Sequence, residues 1–122
     1  MFGQQDTSSS ELAALEAAGF SVMGAVRANN RDELASLLKA GANPNTVDQS
    51  GDTPAHIATE RGNPECLRML IEAGADVNTA DHHGNIPVCI AAERGNPDCL
   101  RMLIEAGADV NAANRHGNTP VW

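Results

Sequence analysis

Few side chains in this 122-residue chain could do chemistry: four histidines, three cysteines, and sixteen acidic residues set against eight Lys and Arg. His82, His83 and His116 stand in polar, glycine-flanked stretches, where turns form. A metal centre would need its ligands within about 2.0–2.3 Å of one ion. His83 and His116 are 33 residues apart in two near-copies of one segment, so they sit roughly 10 Å apart in neighbouring units and cannot converge alone. These histidines read as exposed contact residues, and His56 as a structural histidine with its hydrogen bonds met. No metal site is expected. No glycine-rich phosphate loop, paired-carboxylate cleft or Ser/His/Asp constellation is legible, so no catalytic residue and no cofactor is expected.

The cysteines are equally quiet. Cys66, Cys89 and Cys99 make an odd count, which points to a reducing compartment, cytoplasmic or nuclear. Cys66 and Cys99 share a position in the two copies, again roughly 10 Å apart and beyond the ~7 Å Cα limit for a disulfide. All three read as small buried hydrophobes.

What must position these groups is a repeat. Residues 48–80 and 81–113 match at 24 of 33 positions, and RGNPECLRMLIEAGADVN differs from RGNPDCLRMLIEAGADVN by one carboxylate. Self-similarity at this period means stacked supersecondary units. A third copy opens at Asn114 and the sequence ends inside it; a weaker one runs from Leu15 to Val47, with KAGANPN aligned to EAGADVN.

Each full unit reads as turn, short helix, turn, longer helix and extended return. Thr53 caps a helix over 54–60 with Pro54 in its first turn, and Asn63 with Pro64 opens the next. Cys66, Leu67, Leu70 and Ile71 form one apolar stripe, ended by Gly74. The N-terminal part predicts helices over LAALEAA, from a Ser8–Glu11 capping box to about Ala18, then over 22–28 and 31–40. The layout is a tail over 1–10, a helix and degenerate first unit over 11–47, full units over 48–80 and 81–113, and an incomplete one over 114–122.

Composition agrees. Hydrophobic residues make up 42% but aromatics only 2%, which suits small elements stacked closely rather than one central core. The formal charge of −8 argues against nucleic acid and anionic membranes as partners and towards a basic one. No run of 18 apolar residues and no secretory leader is visible.

The pattern D-x-x-G-x-T-P-x-H-x-A at 48–58, followed by GNPECLRMLIEAGADVN at 62–78, resembles the ankyrin repeat. The likeness implies an all-α repeat solenoid of L-shaped helix pairs with hairpin-like loops, serving as a protein-interaction scaffold. By that resemblance the concave, partner-binding face comprises Gln49, Ser50, Asp52, His82, His83, Asn85, Arg115, His116 and Asn118, with Glu60, Arg61, Glu93 and Arg94 beside them. Glu60–Arg61 and Glu93–Arg94 read as solvated surface ion pairs. Three departures stand out: Ile86 replaces the Thr, and Cys89 and Trp122 replace the His. A more hydrophobic joint is expected at Ile86 and Cys89, since that Thr and His tie the turn to its helix in the family. The alternative is a structural or regulatory part of a larger protein, self-associating through Val121 and Trp122; a strict monomer in light scattering at high concentration would rule out self-association. Asn78 and Asn111 resemble asparagines that are hydroxylated in ankyrin-repeat proteins of animal cells. The competing reading has these amides bridging backbone groups in their loops, and an intact-mass gain of one oxygen after exposure to such a hydroxylase separates the two.

Overall fold

In a computed structural model that describes residues 7–111, the chain folds into seven helices and, among the described residues, no strand. They are α1 (Thr7–Ala17), α2 (Val22–Arg27), α3 (Arg31–Lys39), α4 (Pro54–Glu60), α5 (Pro64–Glu72), α6 (Pro87–Arg94) and α7 (Pro97–Glu105). The short helices α2, α4 and α6 pack in one layer, and α3, α5 and α7 in a second; α1 packs on α3. This is the stacked helical solenoid that the repeat predicts.

Local chemistry sets the helix ends. Thr53 Oγ1 accepts from the His56 N–H, and the His56 ring returns the bond to the Thr53 N–H, a capping box built with His at the third helical position. Ser21 and Asn30 cap α2 and α3 by accepting from the N–H groups of Gly24 and Glu33. Two expectations need correction. The helix α1 already begins at Thr7, so Ser8 lies within it and not at its cap. Neither Asn63 nor Asn96 caps its helix with its side chain. Asn96 instead donates across to the Thr59 carbonyl at 2.7 Å, fastening α7's entry to the preceding unit. Pro at the first helical position removes one of the N–H groups a cap would have to satisfy.

The core is a row of small and branched side chains between the layers. Leu34, Leu37, Leu67, Leu70 and Leu103 are wholly buried, with Cys66 and Cys99 packed among them. Each leucine stripe covers its neighbour, so burial is shared along the array rather than gathered in one place. Ile86 and Cys89 are also buried, 5% and 3% exposed, and Ile86 makes no side-chain cap bond. The joint where the pattern departs is the hydrophobic one expected.

Candidate functional site

The turn tips are built first from their own residues. Asp48 Oδ1 accepts from the N–H groups of Ser50 and Asp52, each at 2.9 Å, and Asp81 Oδ1 accepts from those of His83 and Asn85 at 2.8 and 3.0 Å. The Asp side chain thus closes the turn without needing a strand partner. Successive tips are then joined: the His82 N–H donates to the Ser50 carbonyl at 3.0 Å. Gly51 permits this approach, since its φ is +79° and any side chain there would come within 3.0 Å of the His82 nitrogen.

Behind the tips, His56 is buried and committed on both sides. Its Nδ1 lies 3.0 Å from the Thr53 N and 2.9 Å from Thr53 Oγ1, and its Nε2 is 2.8 Å from the Asn85 carbonyl oxygen. Accepting from the Thr53 N–H puts the ring hydrogen on Nε2, where it donates to Asn85. His56 is therefore the structural histidine expected, but its reach into the next unit goes beyond a local turn bond.

Between these parts lies a pocket of about 300 Å³, lined by Ser50, Asp52, Glu60, Asp81, His83, Asn85, Ile90, Glu93 and Arg94. Seven of the side chains chosen from sequence meet here: Ser50, Asp52, Glu60, His83, Asn85, Glu93 and Arg94. Gln49, Arg61 and His82 are exposed and do not line it. Arg115, His116 and Asn118, with Val121 and Trp122, lie outside the described residues.

The ion pairs are not those expected. Glu60 pairs with Arg94 of the next unit at 3.1 Å, not with Arg61. Arg61 donates to the Arg27 carbonyl at 3.3 Å, and Arg27 pairs with Asp48 at 2.9 Å. The charges form a staircase between units instead of pairs within one helix end. On the outer helices, Arg68 meets Glu65 and Glu72, and Arg101 meets Asp98, as exposed pairs of small energetic weight.

Sequence reasoning missed Asp81 and Ile90 at the pocket, and missed that two carboxyls meet there. Ligand atoms of Asp52, His56 and Asp81 lie within 4.8 Å of one another. A paired-carboxylate site thus exists, contrary to expectation. His56 offers it no spare lone pair, because both ring nitrogens are engaged. Burial, joined by the hydrogen-bonded Asp81, pushes the Asp52 carboxyl above its ordinary value, with the His56 ring pulling the other way. Burial also works against the charge on Asp81, but the Asn85 and His83 N–H groups and Asp52 outweigh it and hold Asp81 low. Asp48 is likewise held low: its two turn N–H groups and Arg27 overcome the opposing burial.

Asn78 sits elsewhere, on the return loop. Its Oδ1 accepts from the Asp109 N–H at 2.7 Å and its Nδ2 donates to the Gly107 carbonyl at 3.2 Å. Asn45 does the same one unit earlier, to Asp76 and Gly74. The amide bridges backbone groups as the competing reading held, though in the next loop and not its own. The N–H of Asn111 donates to Asp109 Oδ1 at 3.1 Å. The three cysteines form no disulfide and are buried, and burial raises each thiol above its ordinary value, as buried apolar thiols require.

Stacked helix pairs joined by Asp-closed turns define a helical repeat protein whose turn tips and short helices share one face. A family model described as Ankyrin repeats (3 copies) matches residues 22–114, 93 of the 122 residues. The chain belongs to the ankyrin-repeat family. Such repeats are generally protein–protein interaction modules and typically non-enzymatic. No curated protein matches the chain. Among the described residues no helix is long and apolar enough to cross a membrane.

Proposed function

We propose that the chain is a protein-interaction module that receives a basic side chain of its partner in the pocket between residues 48–80 and 81–113. The observation that carries this reading is the pocket itself, which gathers Asp52, Glu60, Asp81 and Glu93 around one pairing arginine, Arg94. Four carboxylates against one arginine leave a cleft that favours a guanidinium or ammonium group on a partner. The −8 charge of the whole chain steers such a partner inward. Gln49, Arg61 and His82, exposed outside the pocket, are further contacts in this reading. Three buried cysteines without a disulfide fit a reducing compartment, cytoplasmic or nuclear.

The test is a peptide array with Lys- or Arg-centred peptides and neutral and acidic counterparts. The chain should retain the basic peptides, less well as salt rises. Glu93→Lys should abolish retention while circular dichroism stays unchanged. Equal retention of neutral peptides, or binding indifferent to Glu93→Lys, would move the binding surface away from this pocket.

A further inference from the structure

The carboxyl groups of Asp52 and Asp81 come from successive turns and meet across the junction of two units, with His56 beside them. Their surroundings are unequal. Asp81 accepts two backbone N–H bonds, which fix it in place and support its charge. Asp52 gives its own N–H to Asp48, and its carboxyl oxygen lies within 4.8 Å of that of Asp81. His56 is spent on Thr53 and Asn85. Two partly buried carboxyls this close do not ionise independently; the first charge opposes the second.

We propose that Asp52 and Asp81 share one proton and act as an acid-sensitive latch between the second and third repeats. With the proton on Asp52, an O–H···O⁻ bond ties the two turns together. Once it leaves, two like charges face each other across the junction. The third repeat has Asn85 at the position of Asp52, so the fold already accepts an amide there.

The groups facing the pair are Asp48 from the same turn, His56 from α4 and His83 from the next turn. The Glu60–Arg94 pair and Glu93 face it from α4 and α6. Glu60 and Arg94 offset one another, whereas Asp48 and Glu93 add negative charge and keep the proton on. The raised Asp52 contributes stability below its unfolded value, near 3.8, and loses it as pH rises through the folded value. The lowered Asp81 contributes above 3.8 and loses that as pH falls through its folded value. The latch is closed between the two folded values and opens above the upper one.

The experiment needs no partner, so it stands or falls apart from the binding reading. Asp52→Asn gives Asp81 a permanent N–H donor. It should raise the melting midpoint at pH ~7.5, with the gain fading towards pH ~4. Glu93→Gln, which removes a facing charge but gives Asp81 no donor, should show a gain of the same sign and clearly smaller size. Carboxyl-carbon NMR of the intact chain should find Asp52 titrating above 3.8 and Asp81 below it. In Asp52→Asn, Asp81 should keep a single low titration. The proposal is overturned if both carboxyls titrate near 3.8, if Glu93→Gln matches the full gain of Asp52→Asn, or if Asp52→Asn gives no gain at pH ~7.5. Calcium or magnesium chloride raising the wild-type midpoint but not that of Asp52→Asn would also overturn it, since the pair would then be a cation site.

Discussion

Removing the His56 ring tests how the second repeat is fastened to the third. His56 is 1% exposed and bonds to Thr53 on one side and the Asn85 carbonyl on the other. In His56→Ala both bonds go, each worth about 0.5–1.5 kcal/mol net. The Thr53 N–H is left buried without an acceptor, a further penalty of about 1–3 kcal/mol. The emptied ring volume also loses packing contacts. Taken together, and allowing for overlap between these terms, the loss should be about 3–4 kcal/mol. Urea unfolding followed by circular dichroism measures it. Because the break falls at a junction, the transition should also broaden, residues 81–111 melting before 22–80. Amide exchange at Thr53 should become fast. His56→Cys, which installs the residue found at Cys89, should cost less than His56→Ala because it keeps part of the packing. A loss below about 1 kcal/mol, with Thr53 still protected, would refute the idea that the ring clamps the two repeats.

Two further outcomes follow from the same packing. Leu70→Ala empties a wholly buried position between the layers and should cost about 2–5 kcal/mol by urea unfolding, enough to unfold so short an array. Asn78→Ala breaks two bonds to the next loop at an exposed site. It should cost about 1–2 kcal/mol and speed amide exchange at Asp109, leaving Asp76 protected by Asn45.

Much of the fold was legible because it lies in local signals that each unit repeats. Thr53-Pro54, Asn63-Pro64, Gly74 and the stripe from Cys66 to Ile71 specify ends and faces without reference to anything distant. What was missed depends on the offset between units. The amide of Asn78 and the ring of His56 each reach a carbonyl 29 residues ahead, and Asp52 meets Asp81 at the same offset (81 − 52 = 29). Glu60 finds Arg94 at 34 residues and Thr59 finds Asn96 at 37. A repeat of 33 residues says that units stack, but the stagger of each contact is set by how the helices tilt on one another. Sequence therefore placed Glu60 beside Arg61, its neighbour along the chain, when the nearer partner was one unit away. It also passed over Asp81. The offset of 29 was the signal that could have found the pair.

These offsets also explain why the two full repeats can be nearly identical and yet not interchangeable. Their second helices differ only at Glu65 and Asp98, so both present the same leucine face. The differences gather at 49/82, 50/83, 52/85, 53/86 and 56/89, where one unit's turn meets the next. In the second repeat that junction is polar, held by Thr53, His56 and the two carboxyls. In the third, the corresponding positions are Ile86, Cys89 and Asn85, none of them charged, with Ile86 and Cys89 buried. Polar junctions respond to pH and to a charged ligand, because their bonds depend on which groups carry protons. An apolar joint has little such dependence. The junction that lines the pocket thus carries groups that answer to protons and charge, as does the Arg27–Asp48 pair that joins the first repeat to the second.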